Sequence, residues 1–259
     1  MIQLNDKQKY AVNRMNTGSN VFLTGGAGVG KSEVIKDFMK KSDSQIIVCA
    51  PTGVAALNIN GATCHRVFNI PLKPLVNNPT SIPTLLKDAD TVIIDEISML
   101  RIDTFDYIAI VILNLNRYRE KNHQKPLQVI VVGDFFQLPP VLPDNDREIL
   151  EQLKYGNRLG RGFAFQSQYW QLFNFEVINL TEIVRQDNKE FAYYLNQVRV
   201  GNRGSISYFN SNSNKYEIKD AILLCGTNKK VDERNNIELA KIKSKEYTFL
   251  SKITGTVSE

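Results

Sequence analysis

Between an apolar run, Val21–Thr24, and a stretch of helical pattern, the chain reads Gly25-Gly26-Ala27-Gly28-Val29-Gly30-Lys31-Ser32. Glycines at 25, 26, 28 and 30 let the backbone curl tightly between a strand and a helix. The spacing G-x-x-x-x-G-K-S in that context is a P-loop, and it commits the surrounding chain to an α/β fold with the loop at the carboxyl end of a buried strand. Successive loop N–H groups and the helix N-terminus then face an anion. Lys31 is expected at the β- and γ-phosphates of ATP, and the Ser32 hydroxyl on Mg²⁺.

The rest of the sequence agrees with that commitment. Short β-branched runs at Val21–Thr24, Ile46–Ala50, Thr91–Asp95, Leu127–Val132 and Glu176–Leu180 alternate with helical patterns after the P-loop, around Val54–Ile59 and over Asp103–Arg119. Nearly all the runs are apolar without alternation, which predicts a parallel β-sheet covered by helices on both faces. The stretch 201–216, rich in Gly, Asn and Ser, reads as a loop. Ala221–Cys225 then reads as another buried strand, Lys229–Lys243 as a helix, and Ser251–Glu259 as a polar tail.

At Val92-Ile93-Ile94-Asp95-Glu96 an apolar strand ends in two carboxylates. Such a pair alone is often only solvated. Beside a P-loop, Asp95 is expected to hold Mg²⁺ and Glu96 to orient and deprotonate the attacking water. A phosphotransferase gains nothing from activating water, so Glu96 favours an ATPase over a kinase.

Composition narrows the class further. A net charge of +5 over 259 residues mildly favours a polyanionic partner. Cys49, Cys64 and Cys225 are scattered and the only histidines are His65 and His123, so neither a zinc site nor a disulfide framework is readable. Isolated thiols and the lack of a basic-then-apolar leader lead us to expect an intracellular protein, and no apolar run approaches the roughly 20 residues needed to span a bilayer.

The segment Val131-Val132-Gly133-Asp134-Phe135-Phe136-Gln137-Leu138-Pro139-Pro140 resembles the G-D-x-x-Q-L-P-P motif of superfamily-one DNA helicases. The ordered set of motifs, from Leu4 to about Lys243, is similar to the PIF (petite integration frequency) and RecD-like branch. The resemblance implies a P-loop RecA-like domain over 1–178 and the start of a second RecA-like domain over 179–259. It also implies ATP hydrolysis coupled to 5′→3′ movement on single-stranded DNA, with single-stranded DNA or DNA junctions as partners; no motif fixes the oligomeric state, and a monomer is expected.

Residue by residue, the resemblance gives Gln8 the adenine edge, Gln137 the γ-phosphate, and Arg185, in Leu180-Thr181-Glu182-Ile183-Val184-Arg185-Gln186, the place of an arginine finger. It sets Thr52 and Gly53 beside the DNA backbone, His65 and Phe68 near the single strand, and Pro139 next to the same path. Phe68 reads equally as a core aromatic, His65 as a structural histidine, and Pro139 as a strand terminator. Family members carry later motifs with a further ATP-contacting arginine and a small β-barrel insertion, which these 259 residues lack. Slow hydrolysis and inefficient unwinding are therefore expected of the chain alone.

Overall fold

The computed structural model describes residues 3–184, 188–213, 222–245 and 247–250. In chain order the elements are α1 (Asp6–Asn16), β1 (Val21–Gly25), α2 (Lys31–Lys41), β2 (Ile46–Ala50), α3 (Gly53–Asn58), β3 (Ala62–Thr63), α4 (Cys64–Phe68), α5 (Thr84–Lys87), β4 (Thr91–Ile94), α6 (Ile102–Lys121), β5 (Gln128–Gly133), α7 (Asp144–Leu150) and β6 (Glu176–Leu180). They are followed by α8 (Lys189–Arg199), α9 (Ser205–Asn212) and α10 (Asn228–Leu239). The strands pair in parallel throughout, in the order β3-β2-β4-β5-β1-β6.

Side-chain alternation explains why the central strands are apolar at nearly every position. Phe22, Val92, Ile94, Val129 and Val131 point to one face, where they pack with Phe105, Ile108, Val111 and Ile112 of α6. Val21, Leu23, Ile93, Ile130 and Val132 point to the other, against Ala11, Val12 and Met15 of α1 and Val34, Ile35 and Phe38 of α2. Both faces are thus dry, as in parallel sheets wound on two sides. The edge strand β6 departs from this pattern, with Val177 62% exposed, and is tied down by Arg14, whose Nε lies 2.8 Å from the Glu176 carboxylate.

Local signals set the ends of the elements that matter most. Asn5 and Gln8 form a reciprocal capping box at α1, each side chain accepting the other's backbone N–H at 2.9 Å. Thr52 and Thr63 cap α3 and α4 through their hydroxyls. Strands β1, β4 and β5 end at Gly25, Ile94 and Gly133, so the residues that follow them gather at one edge of the sheet.

Two expectations are corrected. Part of the stretch expected as a loop, 201–216, is helix α9; Tyr208 stacks on Tyr194 of α8 at 3.9 Å between ring centroids and Phe209 meets Phe191 edge-on, so apolar contact overrides the polar composition. The expected buried strand at Ala221–Cys225 is not one: residues 222–225 pair with no strand among the described residues, and Ile222 and Leu224 are about nine-tenths exposed. Ala221 and the tail Ser251–Glu259 lie outside the described residues.

The chain divides into two compact units, Met1–Phe209 and Asn210–Glu259. The expected first domain, 1–178, lies wholly within the first unit, which continues through β6, α8 and most of α9. The second unit contains α10, where Glu238 pairs with Arg234 and Lys241. Among the described residues no helix is long and apolar enough to cross a membrane.

Candidate active site

The phosphate loop leaves β1 at Gly25 and enters α2 at Lys31. Two glycines are required by space as well as by turn. At Gly25 a Cβ would strike the carbonyl oxygen of Leu180 on β6, and at Gly30, with φ +82°, it would strike Gln8 Nε2. Around this loop lies a cavity of about 160 Å³ lined by residues 27–33, Asp95, Glu96 and Gln137. The P-loop, the strand-end acids and the glutamine, far apart in sequence, therefore face one space.

Lys31 Nζ donates to the carbonyls of Gly25 and Gly26 at 2.9 and 3.1 Å. Burial pushes its pKa down, against the pull of Asp134, Glu96 and Asp95 around it. Asp95 follows β4, and its Oδ1 accepts the Glu96 N–H at 2.8 Å. Glu96 adopts a left-handed backbone at φ 51°, a strained conformation for a residue with a side chain. Burial raises the pKa of both carboxyls; at Glu96 the neighbouring Asp95 charge adds to it. A carboxylate made more basic in a cleft is suited to accept a proton.

Beyond β5 the chain turns at Asp134, which is 1% exposed. Its carboxylate accepts from Gln137 Nε2 at 3.1 Å, from the Phe136 N–H at 3.2 Å, and from Arg199 Nε and Nη2 at 2.7 and 2.8 Å. Burial alone would raise the Asp134 pKa, but these donors, Arg199 foremost, hold it below its ordinary value. Gln137 itself is exposed at the cavity mouth.

Gln8 adjoins the loop but is only 3% exposed, and its Nε2 donates to the Val29 carbonyl at 3.0 Å. With Oε1 engaged in the capping box, its amide already serves two protein partners. The Val184 N–H donates to the Gly28 carbonyl at 2.9 Å, which brings the segment after β6 to the loop; Arg185, the next residue, lies outside the described residues.

A separate cavity of about 510 Å³ opens between α4, the turn before α6 and the loop 72–74. Thr52, His65, Lys73 and Arg101 line it, and Gly53 and Pro139 are exposed. Burial, and then Arg101, lower the His65 pKa, so the imidazole is neutral near pH 7. Of the two readings of Phe68, near the single strand or in the core, its burial fits the core aromatic. On the short helix α4, Cys64, Val67 and Phe68 form the stripe turned into the core, leaving Phe68 1% exposed with no face to offer a base.

A family profile described as PIF1-like helicase matches residues 3–206. The chain belongs to the PIF1-like helicase family. It is 35% identical over 258 residues to the ATP-dependent DNA helicase Pif1 of Campylobacter jejuni, covering 90% of this chain and 54% of that one. It is 30% identical to ATP-dependent DNA helicase PIF1 of Emericella nidulans, of which it covers 33%. Among solved structures it is similar to Pif1 helicase from Bacteroides in complex with ADP-AlF3 and ssDNA, at 30% identity and a TM-score of 0.79, covering 95% of this chain and 59% of that chain. A structure of Bacteroides Pif1 bound to ssDNA gives a TM-score of 0.77. This PIF1-like helicase chain thus spans from a third to about half the length of these curated relatives.

Within the PIF1-like chain, two residues at the site escaped the sequence. Asp134 lies inside the G-D-x-x-Q segment, but nothing in that spacing says what its carboxylate meets. Arg199, 65 residues on, carried no local signal, since nothing in the pattern of α8 says that its last side chain meets a buried carboxylate.

Proposed function

We propose that this chain is the ATP-hydrolysing portion of a DNA helicase, coupling turnover to 5′→3′ movement along single-stranded DNA. The observation that carries the reading is the meeting of the phosphate loop, Asp95, Glu96 and Gln137 around one cavity in a chain of the PIF1-like helicase family.

The residues fit a Mg²⁺–nucleotide. Left-handed glycines at 28 and 30 turn loop N–H groups toward an anion at the start of α2, and the nearby oxygen donors, the Ser32 hydroxyl and the Asp95 carboxylate, suit a hard cation. When bound, Mg²⁺ neutralises charge on the β- and γ-phosphate oxygens. Lys31, released from the Gly25 and Gly26 carbonyls, donates to the same phosphates. Glu96 orients a water and takes its proton, and Gln137 senses the γ-phosphate. Arg185 supplies the arginine that stabilises charge on the transferring group. Gln8 retains one Nε2 hydrogen for the adenine edge.

For DNA, we assign the cleft lined by Thr52, His65 and Lys73, with Gly53 and Pro139 beside it, to the single strand, with junctions as further substrates. Backbone contacts of this kind tolerate any sequence. The Bacteroides relative, solved with both a nucleotide analogue and ssDNA, supports pairing the two sites. Residues 179 onward are read as the start of a second RecA-like domain.

The test is ATPase activity of the purified chain with and without a single-stranded oligonucleotide, beside Lys31→Ala and Arg185→Ala. Stimulation by DNA, lost in both variants, is expected. Hydrolysis indifferent to DNA would instead favour a generic P-loop ATPase.

A further inference from the structure

Arg199 is the last residue of α8, and one side chain there meets three parts of the site. Its Nε and Nη2 clasp Asp134 at 2.7 and 2.8 Å, its guanidinium carbon stands 4.6 Å from the ring centre of Phe136, and a Cβ built on Gly26 of the phosphate loop would lie 3.5 Å from its Cδ. Asp134 in turn holds the Gln137 amide at 3.1 Å. The two residues at the ends of this chain, Arg199 and Gln137, share a single buried carboxylate.

We propose that Arg199 is a positioning residue for Gln137: by clasping Asp134 it sets where the γ-phosphate-sensing amide stands relative to the phosphate loop, and so makes α8 part of the nucleotide site. The inference rests on the reading of that site as an ATPase. A planar guanidinium satisfies both Asp134 oxygens at once while its carbon stands over the Phe136 ring, which a lysine ammonium cannot do. Without it, Asp134 keeps one side-chain donor, Gln137, and that amide is drawn toward the carboxylate and away from the cavity. An arginine that only anchored α8 would affect stability and all nucleotides alike; one acting through Gln137 affects what depends on the γ-phosphate.

The experiment compares the full chain with Arg199→Gln, Arg199→Lys, Gln137→Ala and the Arg199→Gln/Gln137→Ala double variant. It measures DNA-stimulated kcat and KM, dissociation constants for ADP and for a non-hydrolysable ATP analogue, and thermal unfolding. Arg199→Gln is expected to lower kcat by about tenfold with KM within about twofold, and to reduce the preference for the ATP analogue over ADP as far as Gln137→Ala does. The double variant should add nothing to either single one, and Arg199→Lys should fall between parent and Arg199→Gln. The lysine variant keeps the charge and can be read even where Arg199→Gln unfolds. The proposal is overturned by effects that multiply in the double variant, by an unchanged preference between the two nucleotides, or by full rescue with lysine. A parent that binds both nucleotides but does not hydrolyse still tests it through the binding ratio. A parent that binds neither overturns the site reading and this inference together.

Discussion

The Gln8 side chain donates to the Val29 carbonyl at 3.0 Å while its oxygen caps α1, so the first helix and the phosphate loop are held by one amide. Gly30 has no room for a Cβ because this amide lies against it. The loop's shape is therefore supported from outside its own motif.

Gln8→Ala removes both contacts from a buried position. Losing the cap and leaving the Val29 carbonyl without this donor should cost about 1–3 kcal/mol of stability. ATP binding should weaken in parallel, since the loop is less well held. Urea unfolding and a fluorescent-nucleotide titration check this; an unchanged unfolding midpoint would show that the amide does not tether the loop.

Glu96→Gln should separate activity from stability. As the proposed base, Glu96 must be ionised, so kcat/KM falls as pH drops through a limb set above the usual glutamate value of about 4.3. The substitution should reduce kcat by about 10²-fold or more while nucleotide binding persists. For stability the sign is reversed. A folded pKa above the unfolded one means that ionisation opposes folding; the penalty is absent below the unfolded value and present in full above the folded one. Glu96→Gln removes that penalty, so at pH 7 the variant should melt above the parent, with the gap closing in acid. Melting curves at several pH values decide it.

His65 and Phe68 sit three residues apart on α4 but face different surroundings. Phe68→Ala should destabilise by about 3–5 kcal/mol through a core cavity. His65→Ala should leave the melting temperature nearly unchanged and weaken single-strand binding. Thermal unfolding and fluorescence anisotropy with a labelled oligonucleotide separate the two; a stable Phe68→Ala with impaired DNA binding would reverse the assignment.

Lys73 and Arg101 line the same cleft and should respond differently. Lys73 is exposed, and Lys73→Ala should weaken single-strand binding and reduce the slope of log affinity against log salt by about 0.7. Arg101 is committed to Asp146 and to Asp103, which is fully buried and also accepts the Leu75 N–H. Arg101→Ala strands that carboxylate and should cost about 3–5 kcal/mol. Salt titrations and denaturation curves check the pair.

Much of the sheet and the centre of the site could be read from local order. Four of the five longer strands are mostly apolar runs without alternation, as strands covered on both faces need, and the P-loop and Asp95–Glu96 announce themselves because their residues are neighbours in sequence. The sixth strand, β3, has only two residues, too short for any periodicity to register. Helix α9 was hidden by its polar composition, since Tyr208 and Phe209 find their partners only when α8 lies beside them.

The sequence by itself determined the parallel α/β fold, the phosphate loop and the acids beside it, because spacing along the chain is enough to specify a turn, a buried strand and a strand end. Tertiary structure alone decided that Phe68 turns into the core, that Gln8 braces Val29, and that Arg199 clasps Asp134. Those outcomes depend on which surfaces meet when distant segments pack, and an ion pair spanning 65 residues leaves no periodic trace in the chain that forms it.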